Sequence, residues 1–221
     1  MNRFLAALKR VSSLFASVPT SEAPDAWMLV LARALVAFAT ALAGILVVSL
    51  VKGDAVVSGI LGTLAFLGAR FFLVNRQEDS GIGDVSRQLS AGRDASQAQI
   101  ILFALTTLRP ICIFLLLMRG NWLWIPAAVA LSEAVALDVE HAKGFSLAWI
   151  AACAVALACG ALLASFGRRY ESLFVVSLIA SAIAWMLPSA CQRLNVRLSR
   201  EGLLYSAELL LLFLGLLGQA M

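Results

Sequence analysis

Apolar residues in this chain fall in long unbroken runs, not in alternation. Seven stretches, 27–51, 54–74, 98–118, 121–139, 144–166, 171–190 and 202–220, are nearly free of charge. At a rise of about 1.5 Å per residue, a helix of about 20 apolar residues crosses a hydrocarbon core about 30 Å thick. Lipid offers no hydrogen-bond partner to an open backbone, so runs of this length without period-two alternation predict helices. The fourth and seventh runs carry acidic residues and are the weakest of the set. No internal repeat stands out.

The first residues follow a different pattern. Phe4, Leu8, Val11, Phe15 and Val18 recur at helical spacing with Arg3, Lys9 and Arg10 beside them, which predicts an amphipathic helix on the membrane surface. Lys9 and Arg10 interrupt the apolar run that a cleavable signal needs, and Pro19 and Pro24 separate this helix from the first long run. The expected fold class is all-α: a polytopic integral membrane helical bundle of seven transmembrane helices plus an N-terminal amphipathic surface helix. Residues 1–24 form the interfacial segment and 25–221 the transmembrane domain, with a polar loop at 75–97.

Composition excludes a soluble fold. The chain is 62% hydrophobic and 14% charged, with a mean hydropathy of +0.92, whereas soluble domains carry about 25% charged residues. The lipid bilayer is thus an expected partner. The formal charge of +4 does not point to nucleic acid, because the basic residues are scattered singly through loops. Ten of those outside the runs (Arg3, Lys9, Arg10, Arg76, Arg87, Arg93, Lys143, Arg193, Arg197 and Arg200) fall on one side, and four (Lys52, Arg119, Arg168 and Arg169) on the other. The positive-inside rule then places the N-terminus in the cytoplasm and the C-terminus outside, in the inner (cytoplasmic) membrane of a bacterium. Trp27, Trp122 and Trp124 lie near run ends as interfacial anchors. Cys112, Cys153, Cys159 and Cys191 read as small buried hydrophobes, and the single histidine, His141, leaves no multi-histidine metal site.

Ionisable residues within membrane-spanning segments are costly and mark function by default. Arg33, Arg70, Arg109, Glu133 and Glu208 lie inside the runs, with Asp138 at a boundary. Arg33, Glu133 and Glu208 each sit about six residues, roughly 9 Å, from the cytoplasmic end. No charge intrudes as deeply from the other side. That asymmetry predicts a cavity open to the cytoplasm. The alternative is structural ion pairs locking helices, such as Arg109 with Glu133 across the turn at Gly120. Pro110 shapes the cavity or is a tolerated kink. Gly59, Gly62, Gly68, Gly160 and Ala164 read as close-packing positions.

Loop 75–97, NRQEDSGIGDVSRQLSAGRDASQ, combines Glu78, Asp79, Asp84 and Asp94 with Arg76, Arg87 and Arg93. Carboxylates suit Mg²⁺, which bridges to substrate phosphates, and arginines suit phosphate oxygens. Glu78, Asp79 and Asp84 are therefore candidate metal ligands, and Arg76, Arg87, Arg93, Arg109 and Glu133 candidate substrate-binding residues. A solvated loop of mixed charge is the alternative. Walker A, Ser–His–Asp, Asp-rich prenyltransferase and CDP-alcohol phosphotransferase signatures are absent.

Two patches resemble one family. Residues 78–83, EDSGIG, are similar to the Lys-Asp-Ser-Arg-Ile-Gly motif of cobalamin synthase (adenosylcobinamide-GDP ribazoletransferase). The run from Arg197, RLSREGLLYSAELLLLFLGLL, resembles that family's last segment, in which Gly-Asp-x-x-Gly-Ala precedes a Glu-containing apolar helix. The resemblance implies attack by an α-ribazole hydroxyl on adenosylcobinamide-GDP, with Mg²⁺ assistance and release of GMP. Asp79 matches the motif aspartate, and Glu201 and Glu208 match the C-terminal acids; with Asp84, added from the loop's chemistry, they are the candidate catalytic residues. The family's His-x-Asp-Gly-Leu-Ala-Asp-x-x-Asp-Gly motif has no counterpart upstream of Asp79.

Three functions follow as expectations. The first is a membrane transferase acting on a nucleotide-activated diphosphate substrate. The second is a small transporter or permease component with Arg109 and Glu133 on a gated path. The third is a catalytically inactive accessory membrane subunit, which the missing motif favours. Oligomeric state stays open. The transferase expectation requires the scattered acids and arginines to meet at one end of the bundle.

Overall fold

A computed structural model describes residues 2–17, 23–51, 53–74, 80–91, 94–141, 146–165, 170–193 and 198–217. The long runs fold as helices because nothing inside them offers the backbone another partner. In chain order they are α2 (Ala26–Leu50), α3 (Ala55–Leu73), α5 (Ala95–Met118), α6 (Trp124–His141), α7 (Leu147–Ser165), α8 (Tyr170–Arg193) and α9 (Arg200–Leu217). Two shorter helices join them: α1 (Asn2–Val11) and α4 (Ser80–Leu89). Each of the seven runs is therefore helical, within a few residues of its predicted limits. No strand occurs among the described residues beyond a single antiparallel bridge, Ser12 to Val74.

Three of the described helices, α2, α3 and α5, are long and apolar enough to cross a membrane. Their outer faces carry exposed large apolar side chains: Leu35, Phe38 and Leu46 on α2, Ile60 and Leu64 on α3, Ile100 and Phe103 on α5. An apolar surface this extensive marks contact with lipid, since soluble monomers do not sustain one. The protein is membrane-associated through these helices.

Local sequence fixes the joins. Pro24 and Asp25 precede α2, and the Asp54 side chain caps α3 by accepting from the Val56 N–H at 2.6 Å. The two helices then touch backbone to backbone. A methyl group at Gly44 would stand 3.0 Å from the Gly62 carbonyl oxygen, and one at Gly62 would collide with Val48. Gly59 presses similarly on Met118 and Phe114 of α5. Gly68, predicted as a packing position, faces open space; Gly160 is buried, and the side chain of Ala164 lies outside the described residues. Pro110 is accommodated inside a continuous α5. Between α5 and α6 the chain reverses at Gly120, whose φ of 71° is a left-handed conformation that suits glycine.

Helix α6 is the hub. Every residue from 123 to 137 is buried, and α2, α7, α8 and α9 pack around it. Such all-round burial explains why this run, weak as a lipid-facing segment, is nonetheless helical. Trp124, expected as an interfacial anchor, is 2% exposed. Its indole N–H donates to the Leu211 carbonyl at 2.8 Å, and its ring fills the place where Gly215 has no side chain.

The N-terminal helix is amphipathic as predicted, but its apolar face is turned inward. Ala7, Leu8 and Val11 are buried in the core, and α1 packs on α2. The Ser12 bridge to Val74 and a hydrogen bond donated by the Ser13 hydroxyl to the Phe72 carbonyl tie the segment after α1 to the end of α3.

Loop 75–97 is partly helical. Ile82, Val85 and Leu89 recur at intervals of three and four in α4, whose Val85 is buried. This short amphipathic signal is masked by the surrounding charges. The free cysteines Cys112 and Cys159 are buried and Cys153 half-buried, in keeping with an apolar role; of the Cys191 side chain nothing is described.

Candidate functional site

The charged residues of the runs come together along α9. Arg200, its first residue, reaches Glu133 of α6, and the other oxygen of Glu133 lies 2.8 Å from Nε of Arg33 on α2. One wholly buried carboxylate thus ties three helices. Two turns farther along α9, both oxygens of Glu208 accept from the Arg109 guanidinium of α5. That guanidinium lies 5.8 Å from the centre of the Tyr205 ring, within cation–π range, and the Tyr205 hydroxyl donates to the Leu105 carbonyl. Arg70 and Arg33 lie within electrostatic reach of Glu208.

The pairing differs from the one predicted across Gly120: Arg109 meets Glu208, and Glu133 meets Arg33 and Arg200. Arg200 reads in sequence as a loop cation and turns out to be a partner of the most buried acid. Tyr205, with no charge and a mid-helix position, gave no signal. These charges form packed pairs: Arg33, Arg109 and Glu208 are each at most 7% exposed. Burying paired charges is costly, and truncating one partner typically costs about 3–5 kcal/mol.

The same end of α9 meets α4. A methyl group on Gly81 would collide with the Glu201 carbonyl, and one on Gly202 would lie 3.4 Å from Cβ of Asp84. The contact is close at Gly81 because that position lacks a side chain. Since Gly81 and Glu201 are each the second residue of their helices, two helix amino-termini meet at this point. Such ends carry partial positive charge and unsatisfied N–H groups, the usual setting for a phosphate. On α9 one of these N–H groups, that of Gly202, is capped by the Ser199 hydroxyl at 3.1 Å.

No known protein family, curated protein or solved structure matches the chain.

Of the candidate catalytic residues, Glu201 stands at the start of α9 and Asp84 midway along α4 beside Gly202, while Glu208 lies farther along α9 and is engaged by Arg109. Arg87 turns back on Asp84 at 3.0 Å, with its side chain 81% exposed. Asp79, Glu78, Arg76 and Arg93 lie outside the described residues. Among the described residues no group of three or more His, Cys, Asp or Glu could hold a metal ion. Glu133, Glu208 and Asp84 each face an arginine.

Proposed function

We propose that the chain is a membrane transferase acting on a diphosphate-activated substrate at the cytoplasmic surface, of the adenosylcobinamide-GDP ribazoletransferase type. The observation that carries this reading is the contact of Gly81 with Glu201 and of Asp84 with Gly202. The two patches that resemble that family lie about 120 residues apart in sequence, yet they touch. A side chain at Gly81 would collide with the Glu201 backbone, so the two patches meet where a glycine allows close approach.

In this reading the bundle crosses the inner membrane of a bacterium seven times, with the N-terminus in the cytoplasm and the C-terminus outside. Helices α1 and α4 and the start of α9 then lie on the cytoplasmic side. The paired helix starts hold the diphosphate. Glu201, half-exposed at the tip of α9, takes the proton from the attacking α-ribazole hydroxyl as the phosphate–oxygen bond forms and GMP departs. Glu133 acts indirectly by fixing Arg200 and with it the position of Glu201. Mg²⁺, held by Glu78 and Asp79, belongs to the same proposal.

The test is release of GMP by purified, reconstituted protein given adenosylcobinamide-GDP, α-ribazole and Mg²⁺. Turnover that falls about 10²-fold or more in Glu201→Gln is expected, the scale of a lost general base. No release from folded protein overturns the reading.

A second reading has its own support. Glu133 and Glu208 are fully engaged by arginines at low exposure, as in a helix lock with no chemistry. A catalytically inactive accessory subunit would show no turnover while co-purifying stoichiometrically with a partner.

A further inference from the structure

The surface between α5 and α9 sinks into a groove of about 370 Å³, lined by Val85, Leu105, Cys112, Tyr205, Leu209 and Phe213 among others. The two helices run in the same direction, as the pairs Leu105 with Tyr205, Arg109 with Glu208 and Arg119 with Leu216 show. From Leu105 to Cys112 and from Tyr205 to Phe213 the groove extends about 11 Å along the helices. Val85 of α4 lines one end.

Its lining offers almost nothing polar. The Tyr205 hydroxyl is committed to the Leu105 carbonyl, and the Ser206 hydroxyl donates to the Gly202 carbonyl at 2.9 Å. Water would find no partners there. The rim residues Leu108, Leu210 and Phe213 are 41%, 38% and 49% exposed. They continue the exposed apolar belt of α5 at Phe103 and Ile111, so the groove opens onto the surface that faces lipid.

We propose that this groove is a binding site for one hydrocarbon chain of a bilayer phospholipid, entering from the leaflet beside α4 and lying parallel to α5 and α9. A bound chain would rest on Tyr205, whose ring neighbours the Arg109 guanidinium. It would exclude water from the Arg109–Glu208 pair, and attraction between charges strengthens as the local dielectric falls. The lipid is thereby part of the insulation of that pair. This site stands on the groove alone and is independent of the transferase reading.

The experiment reconstitutes the full chain in phosphatidylcholine vesicles doped with a phospholipid bearing a photoreactive diazirine at mid-chain. After irradiation, peptides are mapped by mass spectrometry. Labelling of residues 105–112 and 205–213 several-fold above that of the open α2 belt at Leu35 and Leu46 is expected. Leu209→Trp, which fills the groove, should remove the groove label and leave the α2 label. Cys112→Leu, a smaller intrusion, should reduce it and serves if the tryptophan variant does not fold. Equal labelling of groove and belt overturns the site, as does unchanged groove labelling in a folded filled variant. Cross-links between groove residues of two copies would show a second chain there and overturn it too.

Discussion

The α2–α3 seam and the α6–α9 seam join their helices by different means. The first relies on absent side chains: Gly44 and Gly62 let two backbones approach until a methyl group would strike a carbonyl. Both helices there also present large apolar residues outward. The second seam relies on present ones, with the Trp124 indole seated over Gly215 and Glu133 gripping Arg200. In lipid there is no hydrophobic drive between apolar faces, so close fit and internal polar bonds do the joining. The glycine seam supplies close fit. The α6–α9 seam adds charges whose cost has to be offset by pairing, and it lies beside the α4 contact where the proposed chemistry occurs.

This contrast can be broken in graded steps, each read as unfolding free energy of the detergent-solubilised protein. The largest effect is expected for Glu133→Ala, which leaves Arg33 and Arg200 facing each other without their shared acid; a loss of about 3–5 kcal/mol is predicted. The triple change Arg33→Met, Glu133→Leu, Arg200→Met should recover most of that loss, because an apolar replacement of a whole buried ion set is often neutral. Failure to recover would mean that one of the three makes some other indispensable contact.

Next come Gly62→Leu and Gly215→Ala, each overfilling a tight seam at about 1–3 kcal/mol. The Gly215 change should also shift tryptophan fluorescence, since it displaces Trp124, whereas the Gly62 change should not. Gly68→Ala is the control. With nothing within 4 Å of the added methyl, it should be neutral or stabilising by up to about 1 kcal/mol. A loss as large as that for Gly62 would refute the distinction between packed and open glycines.

Smaller still is Trp124→Phe, which removes the bond to Leu211 and should cost about 1 kcal/mol. Smallest is Arg3→Ala. Arg3 and Asp25 meet at 3.5 Å with side chains 56% and 40% exposed, and such a pair contributes about 0–1 kcal/mol, screened by salt.

The helices were legible because each run announces itself locally. Limits came out within a few residues even for α6 and α9, whose acids weakened the signal. Helix α4 was hidden because three apolar positions, Ile82, Val85 and Leu89, are outvoted by charged neighbours in any broad reading of hydropathy. Which charge meets which was not legible at all. Arg109 and Glu133 are near in sequence across Gly120, but α6 turns Glu133 toward α2 and α9, and that rotation depends on packing of side chains far along the chain. The meeting of Gly81 with Glu201 is of the same kind. Two glycines in a polar loop and a helix start give no hint that they touch.

The order in which the chain is made gives the α9 contacts a further meaning. Glu133 and Arg109 are translated long before Arg200 and Glu208, so during insertion the early helices carry charges whose later partners do not yet exist. Only when α9 arrives are Glu133, Arg109 and the glycine face of α4 all engaged at once. A chain stopped before residue 200 would lack all three contacts, and the joining of α4, α5 and α6 through α9 would wait for the last helix.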